Sequence, residues 1–279
     1  MRNISYSDVT HKVQTVPCKE TMLFPWSKTN HRRELLAQPF PIAWASYLSA
    51  NVALYHTLTS REQAKLGDIA RVLVAEKSWE GCGGLALTEE IQVTIAAQAA
   101  LLVLGFEGEY YPNIETILVY PQGFLVTVRR PGVGGVIAEQ VVPYAGEAAL
   151  RGPVVISWAD ARYGGRTPGD GHNVVLHEFA HKLDMRDGAA DGAPYLRDGA
   201  QIEEWSRVMS AEYQVLVEAT LAGEPTLLDS YGATNAAEFF AVATECFFEL
   251  PRRMQGEHPE LYGVLSGYYR QDPAARGLG

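Results

Sequence analysis

A chain of 279 residues, 47% of them hydrophobic, can bury a substantial core and sits near the upper size of a single domain. Its formal charge is −10, and its longest basic clusters are pairs (Arg32-Arg33, Arg129-Arg130, Arg252-Arg253), which argues against a phosphate-neutralising surface and direct nucleic-acid binding. Cys18, Cys82 and Cys246 are widely spaced and make no Cys-x-x-Cys pair, so neither a disulfide framework nor a thiolate metal site is expected, and a reducing compartment fits.

Residues 1–30 lack periodicity and read as an N-terminal arm. Residues 1–12 contain no apolar run of the kind a secretory leader needs, so a cytoplasmic location is expected. From Pro41 the pattern becomes helical, over residues 42–55 and then 60–75, where Ser60 and Gln63 match a capping box. A third helix is expected over residues 88–104, capped by Thr88 and stopped by Gly105, with Glu89 and Glu90 complementing its dipole. The apolar window 93–106 is interrupted by Thr94 and Gln98 and is too short to span a bilayer, so it reads as a buried helix and no membrane is involved.

The middle of the chain turns β-branched and aromatic. Residues 117–120 and 124–128, separated by Pro121-Gln122-Gly123, read as a hairpin; residues 136–142 and 154–158 complete a small mixed or antiparallel sheet of about four strands. Residues 163–171, rich in Gly, Pro and Asp, read as a loop.

That loop leads into His177-Glu178-Phe179-Ala180-His181. Two histidines four apart on a helix stand one turn above one another, so both imidazoles can reach one ion, and the intervening Glu points at its open position. At about 100° per residue, Leu176, Phe179, Ala180 and Leu183 share one apolar arc, and both histidines fall about 120° away from it. Asp170 or Asn173 can cap this helix, and Gly188 lies just past its end. The Asp-Gly steps over residues 187–199 do not reproduce a calcium loop and read as turns. Helices follow over residues 202–221, 235–250 and from His258-Pro259 to about 270. Helices, a small sheet, then helices make an α+β chain, read as one domain with an arm (1–30), a helical lobe (31–110) and a part carrying the sheet and metal-binding helices (111–279).

A catalytic metal of the zinc type takes three protein ligands and keeps one position open. Spacing leaves the third ligand open among the acids after His181: Asp184, Asp187, Asp191, Glu203, Glu204, Glu212, Asp229, Glu238, Glu245 and Glu249. On the wheel Glu238, Val242, Glu245 and Glu249 share a stripe opposite Phe240 and Phe247. In glutamate-type zinc peptidases the third ligand comes from a downstream helix, which makes Glu238 the first choice, seven residues after Tyr231. Asp184 and Glu245 suit supporting roles, Asp184 as a group that orients an imidazole.

The segment Asp229-Ser-Tyr-Gly-Ala-Thr-Asn-Ala-Ala-Glu-Phe-Phe-Ala241 is similar to the matching stretch of the anthrax lethal factor protease domain. That resemblance implies a metal-ligand role for Glu238 and transition-state assistance by Tyr231. Where that domain has a further Glu, this chain has Val242, leaving Glu245 to support the metal on that side. Over residues 39–276 the chain resembles the Mlc titration factor A family of zinc metallopeptidases, through residues 75–84, 94–98, 118–121, 152–158 and 229–248 and through Gly171-His-Asn-Val-Val-Leu-His-Glu-Phe-Ala-His-Lys-Leu-Asp184. The resemblance implies a zincin-like fold and one zinc per chain held by His177, His181 and Glu238. It also implies Glu178 as general base, Tyr231 as catalytic partner, and aminopeptidase-like activity on peptides. Glu245 or Asp160 would then hold a substrate amine. It equally admits a non-enzymatic protein that sequesters an Mlc-type, glucose-responsive transcriptional repressor over a structural or vestigial zinc site. A zinc hydrolase of non-peptide amides would use the same residues.

Overall fold

The computed structural model describes residues 25–108, 110–131, 137–144, 146–148, 152–196 and 198–277. Most of the expected arm, with Cys18, lies outside the described residues, but its last part is helical: α1 spans Pro25–Ala37. Two arginines fasten α1. Arg32 forks onto Glu76 at 2.5 and 2.7 Å, and Arg71 donates to the carbonyls of Leu35 and Leu36 at the end of the helix.

The expected helix over 42–55 divides into α2 (Ile42–Asn51) and a 3-10 turn (Ala53–Thr57), because Val52 leaves helical backbone at φ −128°. Next comes α3 (Ser60–Glu76), whose capping box is Thr59 with Glu62, one residue earlier than the Ser60–Gln63 pair. Thr59 N–H donates to Glu62 at 2.9 Å and Glu62 N–H returns to Thr59 Oγ1 at 3.3 Å. The earlier pair wins because it sets a carboxylate at the positive end of the helix, where Arg276 also bonds it at 2.6 Å.

After α3 the chain makes β1 (Ser78–Gly81), which periodicity missed because it is short and polar, and then α4 (Glu89–Leu102), capped by Thr88 and buried along nearly its whole length. β2 (Thr116–Tyr120), β3 (Phe124–Pro131), β4 (Ile137–Tyr144), β5 (Gly146–Ala148) and β6 (Val154–Ser157) follow. The expected hairpin between β2 and β3 does not form. β2 pairs parallel with β1 on one side and β6 on the other, while β3 and β4 make a separate antiparallel ribbon. The sheet is therefore three parallel strands, β1-β2-β6, edged by the three-residue antiparallel β5; the expected strands at 124–128 and 136–142 lie outside it, and β1 and β5 take part in their place. Parallel neighbours need a crossover, and α4 supplies it between β1 and β2. β6 is buried at every residue, as an inner parallel strand covered on both faces must be.

Directly after β6 runs α5 (Trp158–Arg166), capped by Ser157, across part of the expected loop. Gly164 and Gly165 looked like breakers, but they serve close packing. A Cβ on Gly165 would stand 2.4 Å from the carbonyl of Asn51 and 2.9 Å from Gln98, and one on Gly164 3.2 Å from Asn173. The remaining helices are α6 (Val174–Asp184), α7 (Gly199–Ala222), α8 (Ala236–Glu249), α9 (Pro251–Glu257) and α10 (Pro259–Tyr269). Pro251 ends α8 and also starts α9, since proline at a first helical position forfeits no hydrogen bond.

The core collects on α4, α6 and α8. Phe240, Phe247, Trp205, Tyr268 and Tyr269 form an aromatic cluster around α8, and Gln271 ties the following segment to the carbonyl of Leu101 at 2.8 Å. No helix among the described residues is long and apolar enough to cross a membrane. Gly165→Ala should lower stability by about 1–3 kcal/mol, as overpacking does. A urea titration should show a lower midpoint; an unchanged midpoint would mean that α5 does not sit this close to α2 and α4.

Candidate metal centre

The period of α6 predicted its buried side, and Val175, Leu176, Phe179, Ala180 and Leu183 are all within the core. Asn173, not Asp170, caps it: Asn173 Oδ1 accepts the N–H groups of Val175 and Leu176, both at 3.1 Å. Asp170 instead accepts the N–H of His172 in the loop before. With the apolar arc buried, His177 and His181 project together from the other face, their ring centroids 4.8 Å apart.

They meet α8. Asn235 caps that helix by accepting the N–H of Glu238, which sets Glu238 in its first turn. Glu238 Oε2 lies 3.0 Å from His177 Nε2 and 3.2 Å from His181 Nε2, and the two Nε2 atoms are 3.2 Å apart. Among the described residues this is the group of His, Cys, Asp or Glu side chains arranged to hold a metal ion. Two imidazole nitrogens this close either share a proton in a hydrogen bond or hold a common cation. Donors arranged tetrahedrally at about 2.0–2.1 Å from a central ion stand about 3.3–3.4 Å from one another, so this triangle fits a small divalent ion.

The acidic stripe of α8 does not face solvent. Val242, Glu245 and Glu249 are all buried against α6 or the turns beside it. Glu245 Oε1 accepts from His177 Nδ1 at 2.7 Å, and its Oε2 accepts the Asn173 N–H at 2.5 Å. Both oxygens are thus bonded to α6, and Glu245 supplies the support left to it by Val242. That valine lies under Gly232, where a Cβ would already be 3.3 Å from Val242. Asp160, the other candidate for the amine, sits half-buried in the first turn of α5.

Asp184 was expected to orient an imidazole. Instead its Oδ2 accepts the N–H of Gly192 at 3.0 Å, pinning the loop after α6. Burial pushes its carboxyl up to about 6. Its Oδ1 and His181 Nδ1 are buried without hydrogen-bond partners among the described residues.

Glu178 is buried beside His177, to whose charge balance it contributes. Tyr231 lies on a 3-10 turn (Ser230–Thr234) capped by Asp229, 54% exposed, its ring 6.1 Å from that of His177. All five expected site residues are thus gathered at one place. Sequence reasoning missed Gln98, Asn173 in its second capacity, and Glu249. Asn173 Nδ2 donates to Gln98 Oε1 at 3.0 Å and to Glu249 Oε1 at 3.3 Å, and Glu249 Oε2 accepts the Gly169 N–H at 2.9 Å. Burial pushes the Glu249 carboxyl up to about 8, against the pull of these two donors. The available signal was Gln98 itself, a polar residue inside the most apolar window.

Burial alone would lower the His177 pKa. The hydrogen bonds to Glu238 and Glu245, with the charges of Glu245 and Glu178, outweigh it and lift the imidazole to about 10. Glu238 moves the other way: burial would raise it, but its contacts with His177 and His181 hold it well below the ordinary carboxylate range. The acids thus demand a cation, a proton or a metal.

The sequence profile of the glucose-regulated metallo-peptidase M90 family matches residues 26–270. An uncharacterized protein of Synechocystis sp. is 38% identical over 242 residues, covering 86% of this chain and 88% of that one. Mlc titration factor A of Serratia proteamaculans is 35% identical over 258 residues (91% and 94% of the two chains), and that of Yersinia pestis 32% over 255 residues (90% of each).

In the metal-free protein His177 has a folded-state pKa above its ordinary 6.5, so it contributes stability that is complete below about 6.5 and lost as pH rises through about 10. Uptake of a divalent ion should eject that proton, and apparent affinity should rise about tenfold per pH unit between pH 7 and 9. Calorimetric titration in buffers of different ionisation enthalpy counts the proton; a count of zero would contradict this charge assignment.

Proposed function

The chain belongs to the glucose-regulated metallo-peptidase M90 family, and from that premise we propose that it is a zinc-dependent peptidase, aminopeptidase-like on short substrates, acting in the cytoplasm as a single catalytic domain. The observation that carries the reading is the triangle of His177 Nε2, His181 Nε2 and Glu238 Oε2, with sides of 3.0 to 3.2 Å. Two imidazoles and one carboxylate are a donor set suited to a catalytic zinc, one per chain, with a fourth position left for solvent.

When bound, zinc supplies a Lewis acid that polarises a carbonyl and acidifies water to a pKa near about 7. Glu178, next to the first ligand and buried, takes the proton from the attacking water and passes it to the leaving amine. Glu245 keeps the proton of His177 on Nδ1, so that Nε2 offers its lone pair to the metal. Tyr231, on the exposed side of the site, donates its phenol proton to the carbonyl oxygen as negative charge builds there. Its turn is held by Asp229 and wedged at Gly232 between Leu216 and Val242, which leaves the ring as the adjustable part.

A second reading rests on the name of the relatives, Mlc titration factor A: the chain binds an Mlc-type transcriptional repressor, with or without turnover. Repressor capture by a Glu178→Gln protein with no hydrolysis would favour it as a separate activity. A substrate panel of aminoacyl compounds, internally blocked peptides and non-peptide amides sorts the hydrolase readings.

Three variants test the roles. Glu178→Gln should keep its zinc and lose hydrolysis by a factor of about 10² or more. Glu238→Ala should lose the metal, and Tyr231→Phe should slow turnover by about 10²–10³ at unchanged metal content. Full zinc stoichiometry in Glu238→Ala, read by elemental analysis, would sink the assignment of the third ligand.

A further inference from the structure

The buried polar groups behind the metal centre form a continuous chain, and the site as described above uses only its last member. Gln98 on α4 accepts from Asn173 Nδ2 at 3.0 Å, while its own amide donates to the carbonyls of Thr94 at 3.2 Å and Ala161 at 3.0 Å, which fixes which end of Gln98 is oxygen. Glu249 accepts from the same Nδ2 at 3.3 Å and from Gly169 N–H at 2.9 Å. With both Nδ2 protons committed, Asn173 Oδ1 must face the first N–H groups of α6. The orientation of residue 173 is thereby set from both ends of its side chain, and its backbone N–H is aimed at Glu245 Oε2, 2.5 Å away. The other oxygen of Glu245 is the one on His177 Nδ1. Gln98, Asn173, Glu245 and Glu249 are each 6% exposed or less, so no bulk solvent replaces a lost partner.

From this geometry we infer that Glu249 and the Asn173 carboxamide are positioning residues for the metal: through the Asn173 N–H they hold Glu245 at the angle that keeps His177 Nε2 turned toward Glu238 and His181. The inference rests on the metal-centre reading but not on any hydrolytic activity. An ordinary capping residue would need only its oxygen. Here the amide end is what connects α6 to α4 and to the last turn of α8, so metal affinity depends on groups far along the chain that never touch the ion. A partner that orients a ligand is commonly worth about 10- to 100-fold in metal affinity.

The test is a double-mutant cycle on zinc affinity, read with zinc alone by competition against a chromogenic chelator. Read at pH 9, where the Glu249 carboxyl is ionised, Glu249→Gln puts an NH2 where one of two N–H donors needs an acceptor, and should weaken zinc binding about tenfold. Glu245→Gln breaks the link at one of its two ends, since an NH2 cannot accept, and should weaken zinc binding at least as much. In the Glu245→Gln background, Glu249→Gln should then change affinity less than about twofold, because its effect travels through the group already lost. A purely structural role for Glu249 would instead multiply the two losses, and that result, or wild-type affinity in Glu249→Gln, overturns the inference. If Glu249→Gln does not fold, Asn173→Ser takes its place in the cycle, since serine keeps the capping oxygen and deletes only the amide. A wild-type protein that bound no zinc would overturn the metal-centre reading and this inference with it, an outcome distinct from multiplying losses in proteins that do bind.

Discussion

The carboxylate of Glu245 is bonded at both oxygens to α6, at 2.5 Å to the helix's capping residue and at 2.7 Å to His177. The rest of the site follows from that attachment. It joins α8 to α6 along a buried seam, it commits His177 Nδ1, and it leaves Nε2 as the nitrogen facing Glu238 and His181. Three donor atoms 3.0 to 3.2 Å apart, only 10–18% exposed, favour a positive charge among them. The lifted His177 and depressed Glu238 are the signature of that preference with a proton in the role.

Rigid and adjustable parts are separated. The three donors and Glu178 come from helices whose other faces are packed into the core, so their geometry is set by burial of residues such as Phe179 and Phe240. Tyr231 comes from a short turn and is half in solvent, next to Gly232, where a Cβ would press on Leu216 at 3.0 Å and Val242 at 3.3 Å. In the proposed mechanism, a group that strengthens its contact as charge develops gains from that freedom; ligands that must meet one ion do not.

Much of this was legible in the chain. The 3.6-residue period gave α6 its two faces, caps and breakers gave most helix boundaries to within a few residues, and the His-Glu-x-x-His spacing together with a resemblance gave the triangle. What was not legible depended on contacts distant in sequence. Gly164 and Gly165 suggested a loop because their reason for being glycine is the approach of α2, α4 and Asn173. The strand at 117–120 suggested a hairpin because the chain does not announce that residues 78–81 and 154–157 will flank it. Asp184 matched the direction of His177 on a wheel, but the loop at Gly192 claimed its carboxylate first. Glu249 showed only as one more acid on the stripe of Glu238 and Glu245, because nothing local shows that Asn173 and Gly169 will meet it.

The central claim is that one ion sits among His177, His181 and Glu238. A crystal of zinc-loaded protein, with anomalous scattering collected on both sides of the zinc absorption edge, tests it most directly. The account predicts one strong anomalous peak per chain within about 2.0–2.2 Å of both Nε2 atoms and a Glu238 oxygen. A peak elsewhere, or a Glu238 carboxylate turned away from an ion held by the histidines alone, would contradict it.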